Sequence, residues 1–251
     1  METMKKTFAL LAAVAALLPA GAFAGEINVA VAANFTEAAK DIAAAFNQET
    51  GNDAVLSFGS TGKLYTQIAN GAPFTVFLAA DQARPEKAVT EDLAVEGSEF
   101  TYAIGKLVLY SSDAGLVDDE GAVLKSEDGF DKIAIANPDA APYGAAAVET
   151  MKALGLYDTL TPKIVQGDSI SQTYQFVTTG NAELGFVALS QVIDTEGGSQ
   201  WVVPADLYTP IKQDAVLLKT GADDETSKAF MDFLKSDTAH KIIESYGYAV
   251  E

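Results

Sequence analysis

Residues 25–63 read GEINVAVAANFTEAAKDIAAAFNQETGNDAVLSFGSTGK and decide the class of fold. The apolar, β-branched run at 25–33 is typical of a strand buried on both faces of a parallel sheet. Apolar residues then recur at helical spacing from about Thr36, until Gly51 ends the helix. A second strand is predicted at 53–59. The stretch therefore predicts a β-α-β unit.

The rest of the chain continues this alternation. Further strands are predicted at 74–80, 106–112, 131–138, 183–189 and 213–219, and further helices at 145–154, 170–179 and 227–246. Such alternation predicts an α/β protein with parallel sheets flanked by helices. Ligands of these sheets bind beyond the carboxyl ends of the strands. The pattern alone leaves open whether there is one sheet or two lobes.

The N-terminal segment 1–24 reads METMKKTFALLAAVAALLPAGAFA and has the organisation of a secretory signal peptide. Two lysines precede an apolar run at 8–18, and Ala22-Phe23-Ala24 is an A-x-A cleavage signal. The run is shorter than the roughly 20 residues that a membrane span needs. We therefore expect export to the periplasm and a mature protein that begins at Gly25.

The composition excludes several classes of function. The chain has 35 acidic and 16 basic residues, for a net charge of −19, and loss of the leader changes this to −20. Nucleic acids and anionic membranes attract proteins through Lys and Arg, so neither partner is expected. Cysteine is absent and His240 is the sole histidine, which argues against thiolate or multi-histidine metal sites. A secreted hydrolase with a nucleophile–base pair is disfavoured by the single histidine.

Four loops between predicted strands and helices carry small or hydroxyl-bearing residues. They are Ala32-Ala33-Asn34-Phe35-Thr36, Gly59-Ser60-Thr61-Gly62, Pro142-Tyr143-Gly144 and Gly167-Asp168-Ser169-Ile170-Ser171. Backbone N–H groups at helix starts lack partners within the helix and attract anions. Several converging starts would bind an oxyanion without a charged side chain. Each loop alone is better explained by ordinary helix capping, and we expect Asp168 to be the N-cap of the helix at 170.

Two other features narrow the ligand class. The segment at 57–63 resembles the end of a phosphate-binding P-loop but lacks its first glycine, and Leu64 stands where Ser or Thr is required. Arg84 is the sole arginine and is expected on the surface. Carboxylate receptors commonly grip their ligand with an arginine fork, so a carboxylate ligand is disfavoured.

Taken together, the motifs VAVAANFT, SFGSTGKLYTQIANGAPFTVFLAADQARP, IAIANPDAAPYG and ELGFVALSQV resemble the periplasmic molybdate-binding proteins of ATP-driven importers. The resemblance covers nearly the whole chain from Ile27. It implies the two-lobed periplasmic-binding-protein fold, with each lobe a mostly parallel sheet flanked by helices and the ligand in the cleft between the lobes. The implied bounds are 25–104 with 214–251 for lobe one, and 105–213 for lobe two.

The resemblance also implies the site. The implied oxyanion contacts are Asn34, Thr61, Tyr143 and Ile170, with Ala33 and Ser60 as adjacent candidates. Backbone N–H groups of Thr61, Tyr143 and Ile170 and side chains of Asn34 and Thr61 would hold the anion. Some family members have a ligating tyrosine where this chain has Ala188, and the Tyr143 hydroxyl is a possible substitute.

The implied function is capture of molybdate, and of tungstate, for delivery to the membrane permease of an ABC importer. The resemblance implies a monomer that catalyses no reaction and needs no cofactor or directly coordinated metal cation. The alternative is a receptor for another tetrahedral oxyanion, such as sulfate or phosphate.

Overall fold

The computed structural model describes residues 25–126 and 128–250. The predicted signal peptide at 1–24 lies outside the described residues. The strands are β1 Glu26–Ala32, β2 Asp53–Gly59, β3 Val76–Leu78, β4 Phe100–Gly105, β5 Leu107–Ser111, β6 Ile133–Ala136, β7 Ile164–Gly167, β8 Leu184–Ala188, β9 Ser199–Val202 and β10 Ile211–Leu217. The helices are α1 Thr36–Thr50, α2 Thr61–Ala69, α3 Ala83–Thr90, α4 Pro142–Ala153, α5 Tyr157–Leu160, α6 Ile170–Thr178, α7 Glu225–Phe233 and α8 Asp237–Ser245.

The strands form two five-stranded sheets, which confirms the predicted fold class. The first sheet has the order β2-β1-β3-β10-β4 and the second has the order β7-β6-β8-β5-β9. In the first sheet β10 is antiparallel to both of its neighbours, β3 and β4. In the second sheet β5 is antiparallel to both of its neighbours, β8 and β9. The other strands of each sheet therefore run in one direction, as mostly parallel sheets require.

Helices cover the sheets, so the central strands are fully buried. Every residue of β5, β6 and β8 is buried, and β1 is buried from Val29 onward. Strands enclosed on both faces need continuous apolar runs rather than alternating ones. This is why apolar runs in the sequence mark the central strands, whereas β4, β7 and β9 were not predicted from the sequence.

The chain crosses between the sheets at two places. It passes from β4 to β5 through Lys106, and it returns between β9 and β10. Near the C-terminus, Ala249 pairs with Ile104 of β4, which ties the end of the chain to the first sheet. The predicted lobe bounds stay a prediction; β10, which belongs to the first sheet, begins at Ile211.

The prediction of one helix over 227–246 is wrong. The structure has α7 and α8 there, with a break at Ser236. The Ser236 hydroxyl accepts a hydrogen bond from the backbone N–H of Ala239 at 3.2 Å and so begins a new helix. The apolar periodicity continues across the break because both helices bury one face.

No helix in the described ranges is long and apolar enough to cross a membrane.

Candidate ligand-binding site

A small cavity lies where the loops at the carboxyl ends of strands from both sheets meet. The centre of a water-sized sphere can occupy about 10 Å³ of it. Its walls are Ala32, Ala33, Asn34, Ser60, Thr61, Ala80, Ala141, Pro142, Tyr143 and Ile170. All six residues that the sequence analysis singled out therefore line one cavity, although they come from four separate loops.

Helix starts point backbone groups at this cavity. Thr61 is the first residue of α2, Tyr143 the second of α4 and Ile170 the first of α6. Backbone N–H groups at these positions have no partner within their own helix. The helix dipoles add partial positive charge at the same ends. The wall thus favours a negative ligand without using a charged side chain.

Capping does not explain most of these loops. Ser60 and Ala141, which precede α2 and α4, make no side-chain capping hydrogen bond. By contrast, α7 and α8 lie away from the cavity and are capped by Asp224 and Ser236. The starts of α2 and α4 therefore lack a side-chain cap, as do those of α3 and α5 away from the cavity.

The α6 start is the exception and corrects one prediction. Ser169, not Asp168, is the N-cap, and its hydroxyl accepts from the N–H of Gln172 at 3.3 Å. Asp168 instead forms an ion pair of 2.8 Å with Lys63, and both side chains are largely exposed. The carboxylate faces solvent because a cation from α2 lies beside it.

Ser60 carries the most informative polar atom at the cavity. The residue is 4% exposed, and its hydroxyl has no hydrogen-bond partner among the described residues. Buried hydroxyl groups are almost always paired, so an unpaired one that lines a cavity points to a ligand. The neighbouring Thr61 hydroxyl accepts from the N–H of Ala80 at 3.1 Å, which leaves its own hydrogen to donate.

The predicted role of the Asn34 side chain is wrong. Its amide nitrogen donates to the Gln213 side-chain oxygen at 2.7 Å and to the Tyr248 hydroxyl at 3.0 Å. An amide has two N–H hydrogens, and both are used within the protein. Asn34 still lines the cavity, in the short 3₁₀ turn Ala33–Phe35 that follows β1.

Tyr143 extends from the cavity wall toward the crossover between the sheets. Its hydroxyl lies against Gly105, so close that a Cβ atom added there would be 2.0 Å from the oxygen. Burial raises the pKa of Tyr143 well above its ordinary value, so the hydroxyl is neutral. Like the Ser60 hydroxyl, it has no hydrogen-bond partner among the described residues, so its role as a substitute for the ligand group missing at Ala188 stays a prediction.

The prediction that Arg84 lies on the surface holds in part, since its side chain is only partly exposed. Its side chain is 26% exposed and forms an ion pair with Asp81. The other guanidinium nitrogen donates to the carbonyl oxygen of Asp139 at 2.7 Å. This bond joins the α3 side of the cavity to the loop before α4. Arg84 therefore holds the two sides together rather than facing a ligand.

Further contacts close the cavity on both sides. The N–H of Gly62 donates to the carbonyl of Ala140 at 2.9 Å. The Ser171 hydroxyl donates to the carbonyl of Ala33 at 3.3 Å. These bonds connect loops of the first sheet to loops of the second, so the cavity exists only while the two sides are together.

The described residues contain no group of three or more His, Asp or Glu side chains placed to hold a metal ion. The ten cavity-lining residues include no acidic or basic side chain. The chemistry of the cavity is therefore that of neutral hydrogen-bond donors.

Comparison with known proteins identifies the family. The family model of bacterial extracellular solute-binding proteins matches residues 27–249. The molybdate-binding protein of Rhodobacter capsulatus is 59% identical over 251 residues, which is 100% of this chain and 98% of the relative. The chain belongs to the bacterial extracellular solute-binding proteins. This solute-binding protein is accordingly a transport component and not an enzyme.

Solved structures agree with this assignment. The periplasmic molybdate-binding protein of Azotobacter vinelandii has a TM-score of 0.87 and 43% identity, covering 90% of this solute-binding protein and 99% of the other chain. The sulfate-binding protein SubI of Mycobacterium tuberculosis has a TM-score of 0.75 but 14% identity, covering 90% and 87%. At that identity the likeness shows the fold alone. The fold by itself therefore does not select the oxyanion.

Proposed function

We propose that this solute-binding protein captures molybdate in the cavity and delivers it to an ATP-driven membrane importer. The observation that carries the proposal is a small, uncharged cavity at converging helix starts, with the unpaired Ser60 hydroxyl in its wall. The 59% identical relative from Rhodobacter capsulatus is a molybdate-binding protein and spans the same length. Tungstate has the same charge and nearly the same size, so it is a second ligand.

Neutral donors suit a dianion in a protein of this charge. Without its leader the chain carries a net charge of −20, so long-range attraction cannot supply the affinity. The N–H groups of Thr61, Tyr143 and Ile170 and the hydroxyls of Ser60 and Thr61 would donate to the anion. Each hydrogen bond to an ionised partner contributes about 1.5–3 kcal/mol. Contacts to both sides of the cavity stabilise the closed form, which the permease then recognises.

The setting of this function is the periplasm. We infer that residues 1–24 are a signal peptide removed before Gly25, and that the mature protein acts as a monomer. The intact mass of the exported protein checks the cleavage point, and a mass that retains residues 1–24 contradicts it.

A receptor for sulfate or phosphate is the alternative. Phosphate carries a proton near neutral pH, and a phosphate site needs an acceptor for it. The ten cavity-lining residues include no carboxylate, and Asp168 is held by Lys63. This arrangement favours an unprotonated dianion and disfavours phosphate.

Calorimetric titration of ligand-free protein with molybdate tests the proposal. We expect one site per chain, with an affinity that changes less than about twofold between pH 7 and 9. Tyr143 is the one titratable residue that lines the cavity, and burial raises its pKa, so it stays protonated throughout this range. The raised pKa of Tyr143 affects the free energy of unfolding only when the pH rises above the ordinary tyrosine pKa near 10, which is outside this pH range. Absence of heat, or a steep pH dependence, contradicts the proposal.

Ser60→Ala should weaken molybdate binding by about 10- to 150-fold, which corresponds to the loss of one hydrogen bond to an ion. The free energy of unfolding without ligand should hardly change, because the Ser60 hydroxyl has no partner in the protein. Ser236→Ala is the matched control: it removes a helix cap and should cost about 1 kcal/mol in stability without changing affinity. Calorimetry and urea unfolding of both variants provide the measurements. Unchanged affinity in Ser60→Ala would exclude Ser60 from the site.

A further inference from the structure

A buried polar cluster is built around Asn34. Its members are Asn34, Gln213, Tyr248 and Ser190, which come from the turn after β1, from β10, from the C-terminal segment and from the turn after β8. Asn34, Gln213 and Tyr248 are almost fully buried. Hydrogen bonds compensate most of these polar groups for their lost hydration, although the side-chain nitrogen of Gln213 has no partner among the described residues.

Tyr248 holds Asn34 at two points. Its hydroxyl donates to the backbone carbonyl of Asn34 at 2.8 Å and accepts from the Asn34 side-chain amide at 3.0 Å. The Phe35 ring packs edge-on against the Tyr248 ring, with centroids 5.3 Å apart. The C-terminal segment therefore determines the position of a cavity-wall residue that is more than 200 residues earlier in the chain.

Ser190 makes the same cluster span the two sheets. It lies in the turn Leu189–Gln191 after β8 of the second sheet, and its hydroxyl donates to the Asn34 carbonyl at 2.9 Å. It also lies 2.9 Å from the Tyr248 hydroxyl. Its neighbour Gln191 donates to the carbonyl of Ile170, another cavity-wall residue, at 3.3 Å. The turn Leu189–Gln191 thus bonds to two cavity-wall residues, Asn34 on the side of the first sheet and Ile170 on the side of the second.

We propose that Tyr248 and Ser190 are positioning residues that hold Asn34 in the cavity wall and link the closed state to the bound anion. The proposal rests on the function proposed above. Ser190 reaches Asn34 only when the two sides of the cavity are together, so its bond forms on closure and breaks on opening. Loss of either hydroxyl should therefore speed opening and release of the ligand.

Tyr248 can serve this role over the whole physiological pH range. Burial is the largest influence and raises its pKa to about 12, although its hydrogen bonds act in the opposite direction. The hydroxyl is therefore a neutral group that donates and accepts at once, as the two bonds to Asn34 require.

The test compares Tyr248→Phe and Ser190→Ala with Tyr246→Phe. Tyr246 lies in the same segment, but its hydroxyl donates to Asp41 at 2.7 Å on the exterior and does not contact the cluster. Molybdate is the ligand, and both the equilibrium affinity and the dissociation rate are measured. We expect Tyr248→Phe and Ser190→Ala to release molybdate about 5- to 50-fold faster, and Tyr246→Phe to match the unsubstituted protein.

A combined Tyr248→Phe and Ser190→Ala variant should lose less than the product of the two single effects, because both hydroxyls act on one carbonyl. A purely structural role would lower the free energy of unfolding without changing the dissociation rate. If Tyr248→Phe does not fold, Ser190→Ala alone decides. Release rates within twofold of the control overturn this proposal, whereas failure of the unsubstituted protein to bind molybdate overturns the proposed function on which it rests.

Discussion

Molybdate and tungstate should bind with similar affinity, and sulfate and phosphate at least about 100-fold more weakly, a difference of roughly 2.7 kcal/mol. Donors at helix starts are held by the backbone and cannot follow a smaller ion. Their hydrogen bonds to sulfate or phosphate would be lengthened, while two ions of equal size would be bound alike. The cavity should therefore select by size and not by the identity of the central atom.

Competitive calorimetry on ligand-free protein at fixed pH measures these affinities. Sulfate and phosphate titrated alone, and molybdate then titrated into protein that already holds either of them, give the ratio directly. Binding of sulfate or phosphate within tenfold of molybdate would refute the assignment and favour the general oxyanion receptor. A large difference between molybdate and tungstate would show that size alone does not govern the site.

Gly144→Ala should abolish most binding, with a loss of about 100-fold or more in molybdate affinity. Gly144 lies in the first turn of α4, where a Cβ atom would be 2.1 Å from the carbonyl oxygen of Ala136 and 2.7 Å from its carbon. Both are backbone atoms of β6, so no side-chain rotation relieves the clash. The start of α4 would have to move, and the N–H of Tyr143 would move with it.

Gly115→Ala is the matched control for this substitution. A Cβ atom there would meet just the Asp113 carboxylate at 3.7 Å, an ordinary contact distance. Overpacking at Gly144 should also cost about 1–3 kcal/mol in stability, so urea unfolding accompanies the calorimetry. The decisive result is the affinity of the folded variant at 10 °C: a value close to that of Gly115→Ala would show that the start of α4 does not form the site.

Local sequence predicted the fold because the relevant signals lie within a few residues of one another. The run at 25–33 is mostly apolar because β1 is covered on both faces from Val29 onward, and Gly51 ends α1 in a left-handed conformation. Ser236 was missed because one serine in an amphipathic stretch is a weaker signal than the periodicity around it. The hydrogen bond from the N–H of Ala239 to the Ser236 hydroxyl caps α8 and so favours a new helix start at this position.

Local sequence also located the cavity, since a loop between a strand and a helix start can be found from neighbouring residues alone. The roles within the cavity depended on partners far along the chain. The amide of Asn34 is used by Gln213 and Tyr248, 179 and 214 residues away, and Arg84 is half-buried because it meets the carbonyl of Asp139.

Ser60 is the residue at which the sequence left two roles open and the tertiary structure decided between them. The sequence by itself placed a serine before a helix, where capping is the ordinary expectation and ligand binding the alternative. The tertiary structure decided between them, because it buries the hydroxyl in the cavity wall without a partner. A hydrogen bond depends on distance and direction between groups that folding brings together, so its presence or absence is a property of the packed chain and not of neighbouring residues.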